Sequence, residues 1–259
     1  MTQAVSQESL LQAVGECADL AGAFAHRHYR AGLPVEWKQD GSPVTLADRG
    51  AELAAREWIS ARFPNDGIAG EEFAETPGTS GRRWMIDPID GTKSFVRGVP
   101  LWGSLIAVLE GEHVLAGAAS FPVTGEMIAA AAGCGCWHNG ARASASDVSE
   151  LSGATVLTSD DCTFAPGDSR DGWNRLAGAA VLSRTWGDAF GYLLVATGRA
   201  EVMVDAIVNA WDIACFVPII EESGGVFTDY AGRVTAFGGS AIATNAALAA
   251  ESRRILCST

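Results

Sequence analysis

A chain of 259 residues, 48% of them hydrophobic, can bury the core of one large domain or two closely packed ones, which excludes a disordered protein. With 31 acidic against 18 basic residues the net charge is −13, so nucleic acid and anionic membranes are poor partners. No apolar run reaches the ~20 residues of a membrane span, and the start, MTQAVSQESL, lacks the basic and apolar regions of a signal peptide, so a cytoplasmic protein is expected.

Residues 8–30 place apolar side chains at Leu10, Leu11, Val14, Cys17, Ala18, Ala21, Phe24 and Ala25, which predicts a helix with one buried face. His26 and His28 are two residues apart, share no helical face, and read as surface residues. Turn chemistry at Asp40–Pro43 precedes Thr45, a cap for a helix to about Phe63, where Pro64 stops it. Asp48 falls in that helix's first turn, where the helix dipole alone accounts for an acid. Ile68–Gly70 is strand-like and leads to Glu71 and Glu72, either a metal corner or exposed loop charges.

Arg83 to Pro100, RWMIDPIDGTKSFVRGVP, is the most informative stretch. It predicts a buried strand ending at Asp87, a turn at Pro88, and a short helix starting near Asp90. Two carboxylates three residues apart on a rigid turn can share a hard cation, and the N–H groups of Gly91 to Lys93 would face an anion. A solvated turn with two capping Asp residues is the plainer alternative.

The period then changes. Leu101–Leu109, Val114–Phe121 and Glu126–Ala132 read as antiparallel strands of a meander, with a further hairpin around Cys136–Asn139. Trp102 reads as core or pocket wall. A polar segment, Ser144–Ser152, would join two halves, 1–145 and 146–259. In the second half, Thr155–Thr158 is β-like and Asp160–Arg170 is a loop whose Asp160, Asp161 and Asp168, with Asp171 just after it, lack EF-hand spacing. A helix over Gly172–Ala180 and a strand over Val181–Thr185 follow. Asp188 is then a candidate cap for a helix to Thr197, and Val202–Val204 is a strand ending at Asp205. Asn209-Ala210-Trp211-Asp212 opens an apolar helix to Ile220 that Pro218 should bend. Strands at Val226–Thr228 and Ala241–Thr244 come next, and Asn245 caps a last helix to Ile255. The six cysteines form no C-x-x-C and read as buried, reduced thiols.

Glu71, Asp87, Asp90 and Asp212 all fall where predicted strands end or helices begin, and in a layered α/β chain such ends gather on one rim. Four carboxylates there would repel one another without cations between them. An all-oxygen set suits Mg²⁺, while the scattered His and Cys disfavour zinc.

GEE at Gly70–Glu72, WMIDPIDGTKSFVRG at Trp84–Gly98 and WD at Trp211-Asp212 together resemble the inositol monophosphatase-like family of metal-dependent phosphatases. Pro100-Leu101-Trp102-Gly103, Gly187-Asp188 and Gly191-Tyr192 resemble its histidinol-phosphate phosphatase branch. The resemblance implies an α-β-α-β-α layered sandwich, usually a homodimer. It implies that Glu71, Asp87, the Ile89 carbonyl, Asp90 and Asp212 hold two or three Mg²⁺, with Mn²⁺ as a substitute. Gly91 and Thr92 would bind phosphate through backbone N–H groups. Asp48 and Thr92 would hydrogen-bond each other and orient the attacking water, and Glu72 would position a further metal or water. Asp188 and Asp205 match positions facing the alcohol part of the substrate, with Gly187, Asn209 and Arg184 as further pocket candidates. The implied reaction is hydrolysis of a small phosphomonoester, L-histidinol phosphate ahead of inositol 1-phosphate and then of a related sugar or nucleotide phosphate, with no nucleic acid or membrane partner. An aspartyl-phosphate phosphatase would want D-x-D rather than the D-x-x-D present here. A non-catalytic metal-dependent binding protein on the same fold is the alternative from another class.

Overall fold

Residues 5–39, 41–165 and 167–257 are described by the computed structural model. The predicted turn at 40–43 begins on Asp40, outside the described residues, as does Pro166 in the 160–170 loop.

Helix α1 (Gln7–His26) is capped by Ser6, whose hydroxyl accepts from the Ser9 N–H. The helical pattern expected to residue 30 stops at His26 and closes in tight turns, with Arg30 at φ 59°. A two-stranded hairpin, β1 (Glu36–Trp37) and β2 (Pro43–Val44), leads to α2 (Leu46–Arg62), which Thr45 caps as predicted. The short β3 (Gly67–Gly70) pairs in parallel with β4 (Arg82–Asp90).

β4 corrects the sequence reading. The strand does not end at Asp87; it runs through Pro88 to Asp90, with a register shift between Asp87 and Asp90 against the next strand. A bulge tolerates a proline that cannot donate to the ladder. Gly91 then turns the chain at φ 82° into the short helix α3 (Thr92–Val96). The predicted meander follows: β5 (Gly103–Glu110), β6 (His113–Phe121), β7 (Glu126–Ala131), β8 (Gly135–His138) and β9 (Ala141–Arg142). With β3 and β4 they form one seven-stranded sheet in sequence order.

A second sheet of five strands has the order β11-β10-β12-β14-β13 in β10 (Thr155–Leu157), β11 (Leu182–Arg184), β12 (Val202–Asp205), β13 (Gly225–Thr228) and β14 (Ala241–Asn245). Its helices are α4 (Asp168–Ala179), α5 (Ala189–Ala196), α6 (Ala210–Ile213), α7 (Phe216–Glu222) and α8 (Ala249–Cys257). α4 starts four residues earlier than the sequence suggests. The helix expected from Asn209 to Ile220 is two pieces, broken around Ala214 and Cys215, since Pro218 can donate no bond to the Ala214 carbonyl. Asn245 belongs to β14, and its side chain accepts from Leu248 N–H in the turn before α8.

Strand alternation builds the layers. Trp84, Ile86, Ile106 and Val108 face one side of the large sheet and pack on Val14, Ala18, Trp58 and Ile59 of α1 and α2. Met85, Leu105, Ala107 and Leu109 face the other side and pack on Leu193, Phe216 and Ile220 of α5 and α7, which also cover Met203 and Ala243 of the small sheet. The far face of the small sheet, with Val156, Val202 and Ile242, is covered by Trp173 and Leu176 of α4 and Leu256 of α8. The result is the expected α-β-α-β-α sandwich. Cys17, Cys136 and Cys215 are buried, but Cys162 and Cys257 are exposed and Cys134 is partly so, which corrects the expectation of six buried thiols.

Candidate active site

Two chain segments bring three of the predicted acids together. Asp87 and Asp90 stand on either side of the β4 bulge, and Asp212 sits in the first turn of α6. A carboxylate oxygen from each of the three lies within 4.8 Å of the other two. The bulge matters, because regular alternation would put residues three apart on opposite faces. Local donors fix each group. Asp87 Oδ1 accepts from Ile89 N–H at 3.1 Å, and Asp212 Oδ2 accepts from Asn209 N–H at 2.7 Å. Asp90 Oδ2 accepts from Ala189 N–H, which ties β4 to α5. The Ser104 hydroxyl donates to the Pro88 carbonyl at 2.6 Å and braces the bulge.

Burial and crowding show in the acidities. Asp87 is pushed well above the usual carboxylate range by burial, then by Glu71, Asp90 and Asp212. Asp90 is likewise raised by burial, then by Asp188 and Asp212. Burial raises Asp188 and Asp212 to about 6. Such a set of buried, mutually repelling oxygen donors fits a hard divalent cation, whose charge would reverse these shifts. Glu71, Asp87, Asp90, Asp212 and Ile89 all line one cavity of about 230 Å³, together with Gly91 and Thr92.

Glu71 and Glu72 follow β3 and share a cation that sequence reading missed: Lys38 Nζ, on the hairpin connection, lies 2.6 Å from a carboxylate oxygen of each. Glu52, fully buried on α2, was also missed. Its carboxylate accepts from Glu72 N–H at 2.8 Å and pairs with Arg56 at 2.7 Å. A Cβ on Gly70 would stand 2.2 Å from Glu52 Oε1, which explains the glycine of GEE. A Glu four residues before an Arg normally reads as an exposed helix pair, so nothing local marked Glu52.

Asp48 is fully buried and does more than favour a helix dipole. Its Oδ2 accepts from both the N–H and the hydroxyl of Thr45, at 2.8 and 2.6 Å. Its Oδ1 faces the Thr92 hydroxyl at 3.3 Å, which also lies 2.9 Å from the Ile89 carbonyl. Behind these groups Phe95 and Trp102 pack edge to face, with Trp102 fully buried as core.

A second cavity, of about 180 Å³, adjoins the first, and Asp90, Lys93, Asp188 and Asp212 line both. Asp160 and Asp205 add carboxylates to its wall, with Thr163, Tyr192 and Ile207 beside them. Asp205 is buried and accepts from Ser159 N–H at 3.0 Å and the Tyr192 hydroxyl at 2.8 Å. Asp188 is not the side-chain cap that its place before α5 suggested. Its backbone is left-handed, φ 51° and ψ −155°, and its N–H donates to Ser159 Oγ at 2.8 Å. Gly187 lines neither cavity; a Cβ there would meet Ser159 Cα at 2.0 Å, so it is a packing glycine. Arg184 is exposed, donates to the Ser183 carbonyl, and lines neither cavity. Asn209 lines the first.

A five-layer sandwich that gathers buried carboxylates at the end of a bulged strand, next to a pocket for a small molecule, defines a class of phosphate-ester hydrolases. The chain belongs to the inositol monophosphatase family, whose profile matches residues 6–259. It is 45% identical over 234 residues to a histidinol-phosphatase of Chlorobaculum parvum, covering 90% of each chain. It is 37% identical over 250 residues to a histidinol-phosphatase of Mycobacterium tuberculosis, covering 94% of this chain and 96% of that one. Among solved structures it resembles the extragenic suppressor protein SuhB of Bartonella henselae, with a TM-score of 0.90, 26% identity and coverage of 96% and 99%. An inositol monophosphatase of Zymomonas mobilis superposes with a TM-score of 0.86 at 28% identity, covering 97% and 98%.

Proposed function

We propose that this protein is a Mg²⁺-dependent phosphomonoesterase that hydrolyses L-histidinol phosphate to L-histidinol and phosphate, a step of histidine biosynthesis. One observation carries the choice of substrate. The cavity that joins the acidic cluster is itself walled by Asp160, Asp188 and Asp205, which suits a leaving alcohol that carries an ammonium group. The names of the relatives at 37–45% identity support the same reading.

Glu71, Asp87, the Ile89 carbonyl, Asp90 and Asp212 would hold the metal, Mg²⁺ by preference or Mn²⁺ in its place. When bound, two or three such ions would supply electrophilic charge for the phosphoryl group and make water more acidic. The backbone N–H groups of Gly91 and Thr92, at a helix start, hold the phosphate and stabilise charge on its oxygens. Asp48, anchored by Thr45, holds the Thr92 hydroxyl, and the pair orients the attacking water in line with the departing alcohol. Glu72 lines neither cavity; fixed by Glu52 and Lys38 next to Glu71, it would position a further water or cation from behind that ligand. Asp188 faces the ammonium side of the alcohol; Asp205, held by Tyr192, braces that wall.

Inositol 1-phosphate is the second reading, because a carboxylate such as Asp205 also accepts from sugar hydroxyls. A phosphate-release panel decides: histidinol phosphate should exceed inositol 1-phosphate in kcat/KM with Mg²⁺ present. The reverse order would move the protein to the inositol branch, and no release from any ester would leave a metal-dependent binding protein. Family likeness also suggests a homodimer, checked by light scattering. Among the described residues no helix is long and apolar enough to cross a membrane, and a cytoplasmic location is part of the same proposal.

A further inference from the structure

Lys93 is the second residue of α3, and its side chain is exposed. It lines both cavities and, among the described residues, is the only basic one that lines either. Among the described residues its ammonium makes no hydrogen bond and no ion pair, whereas the other nearby cation, Lys38, is committed to Glu71 and Glu72. Its charge reaches Asp188, where it opposes the upward pull of burial on that carboxyl.

A phosphomonoester bound across the two cavities has its phosphate in one and its alcohol in the other. The bridging oxygen must therefore lie at their shared boundary, which is Asp90, Lys93, Asp188 and Asp212. On the reading above Asp90 and Asp212 would be taken up as metal ligands and Asp188 faces the alcohol's cationic group, which leaves Lys93 as the ammonium N–H donor of the four. Breaking the P–O bond builds negative charge on that same oxygen.

Building on the phosphomonoesterase reading, we propose that Lys93 is a catalytic residue that donates a proton to the oxygen of the leaving alcohol. The water oxygen bonds to phosphorus as the phosphorus–alkoxy bond breaks, and the electron pair of that bond goes to the alkoxy oxygen. That oxygen takes a proton from Lys93 Nζ. The proton lost by the attacking water returns through solvent to the amine, so the sum is ester plus water giving alcohol plus phosphate. Gly91 and Thr92 hold the phosphoryl oxygens from the other side, so Lys93 is not needed to bind them.

The test compares Lys93→Met and Lys93→Arg with the unsubstituted enzyme on two esters. L-Histidinol phosphate releases an alcohol that must be protonated, while p-nitrophenyl phosphate releases a stable anion. Lys93→Met should lower kcat about 100-fold on the alkyl ester and less than about 3-fold on the aryl ester. Lys93→Arg should keep the same contrast, because guanidinium gives up its proton poorly. The Kd of inorganic phosphate, by calorimetry, should stay within about 3-fold of the starting value. Equal losses on the two esters, no loss on either, or phosphate binding weakened by about 10-fold would each overturn the assignment. If the unsubstituted enzyme hydrolyses neither ester, the phosphomonoesterase reading itself falls, and this proposal with it.

Discussion

Asp48 and Thr92 are 44 residues apart in sequence, and their side-chain oxygens are 3.3 Å apart in the fold. Asp48 gives its other oxygen to Thr45, so the carboxylate is oriented by a helix cap before it meets Thr92. Asp48→Asn keeps the volume but replaces one acceptor oxygen with a donor. It should lower kcat by about 100-fold, within the range for loss of a positioned acid–base group. Thr92→Val should do the same, and the double variant should lose little more than either, because the pair acts as one unit. Additive losses in steady-state kinetics would separate the two residues.

The GEE corner rests on a close approach at its back. Glu52 would meet any Cβ on Gly70, and it also receives Glu72 N–H. Gly70→Ala should therefore push Glu52 or the 70–72 backbone aside. It should cost about 1–3 kcal/mol of stability, in the range for overpacking a filled site. It should also raise the Mg²⁺ concentration needed for half-maximal activity. Thermal unfolding with a Mg²⁺ titration reads both, and an unchanged Mg²⁺ requirement would detach the glycine from the metal corner.

These two sites differ in how far they can be read from sequence. Thr45 and Asp48 carry a local signature, an N-cap followed three residues on by an acid, and both the cap and the helix lie where expected. The four acids Glu71, Asp87, Asp90 and Asp212 stand out because carboxylates at strand ends and helix starts are conspicuous beside apolar runs. Pro88 misled, since proline reads as a strand end when no bulge is visible in one dimension. Glu52 and Lys38 had no signature at all, because their meaning lies in residues 20 and 33 positions away. The same holds for Asp188, whose acid is legible while its backbone conformation is not.

Crowded carboxylates make the stability of metal-free protein depend on pH in an unusual direction. Burial and crowding raise Asp188 and Asp212 to about 6 in the folded state and hold Asp87 and Asp90 well above the usual carboxylate range, against about 4 when unfolded. A raised carboxyl binds its proton more tightly in the folded state. Stability from these groups is therefore greatest at low pH and falls as pH rises from about 4 through 6 and beyond. In EDTA the Tm should be higher at about pH 5 than at about pH 7.5, and Asp212→Asn should flatten the difference. Adding Mg²⁺ at the higher pH should restore the Tm by mass action, and less so in the variant. Calorimetry that finds Tm rising with pH in EDTA, with no Mg²⁺ response, would contradict an electrostatically strained metal cradle.

Asp188 occupies backbone space that only glycine enters freely, φ 51° with ψ −155°. Ser159 Oγ receives its N–H, and the Gly191 N–H donates to its carbonyl, so the surroundings hold this conformation in place. Strain of this kind costs about 1–3 kcal/mol and persists where the side chain has work to do. Asp188→Gly relieves the strain and Asp188→Ala does not, so the glycine variant should melt above the alanine variant, by about 2–4 °C per kcal/mol for a chain this long. Both should lose selectivity for the cationic alcohol. Their kcat/KM for histidinol phosphate should fall at least about 10-fold relative to that for inositol 1-phosphate, the loss of one ionic contact. If the alanine variant melts as high as the glycine variant, the backbone at Asp188 is not strained. If both keep the original preference, the carboxylate does not read the substrate's charge.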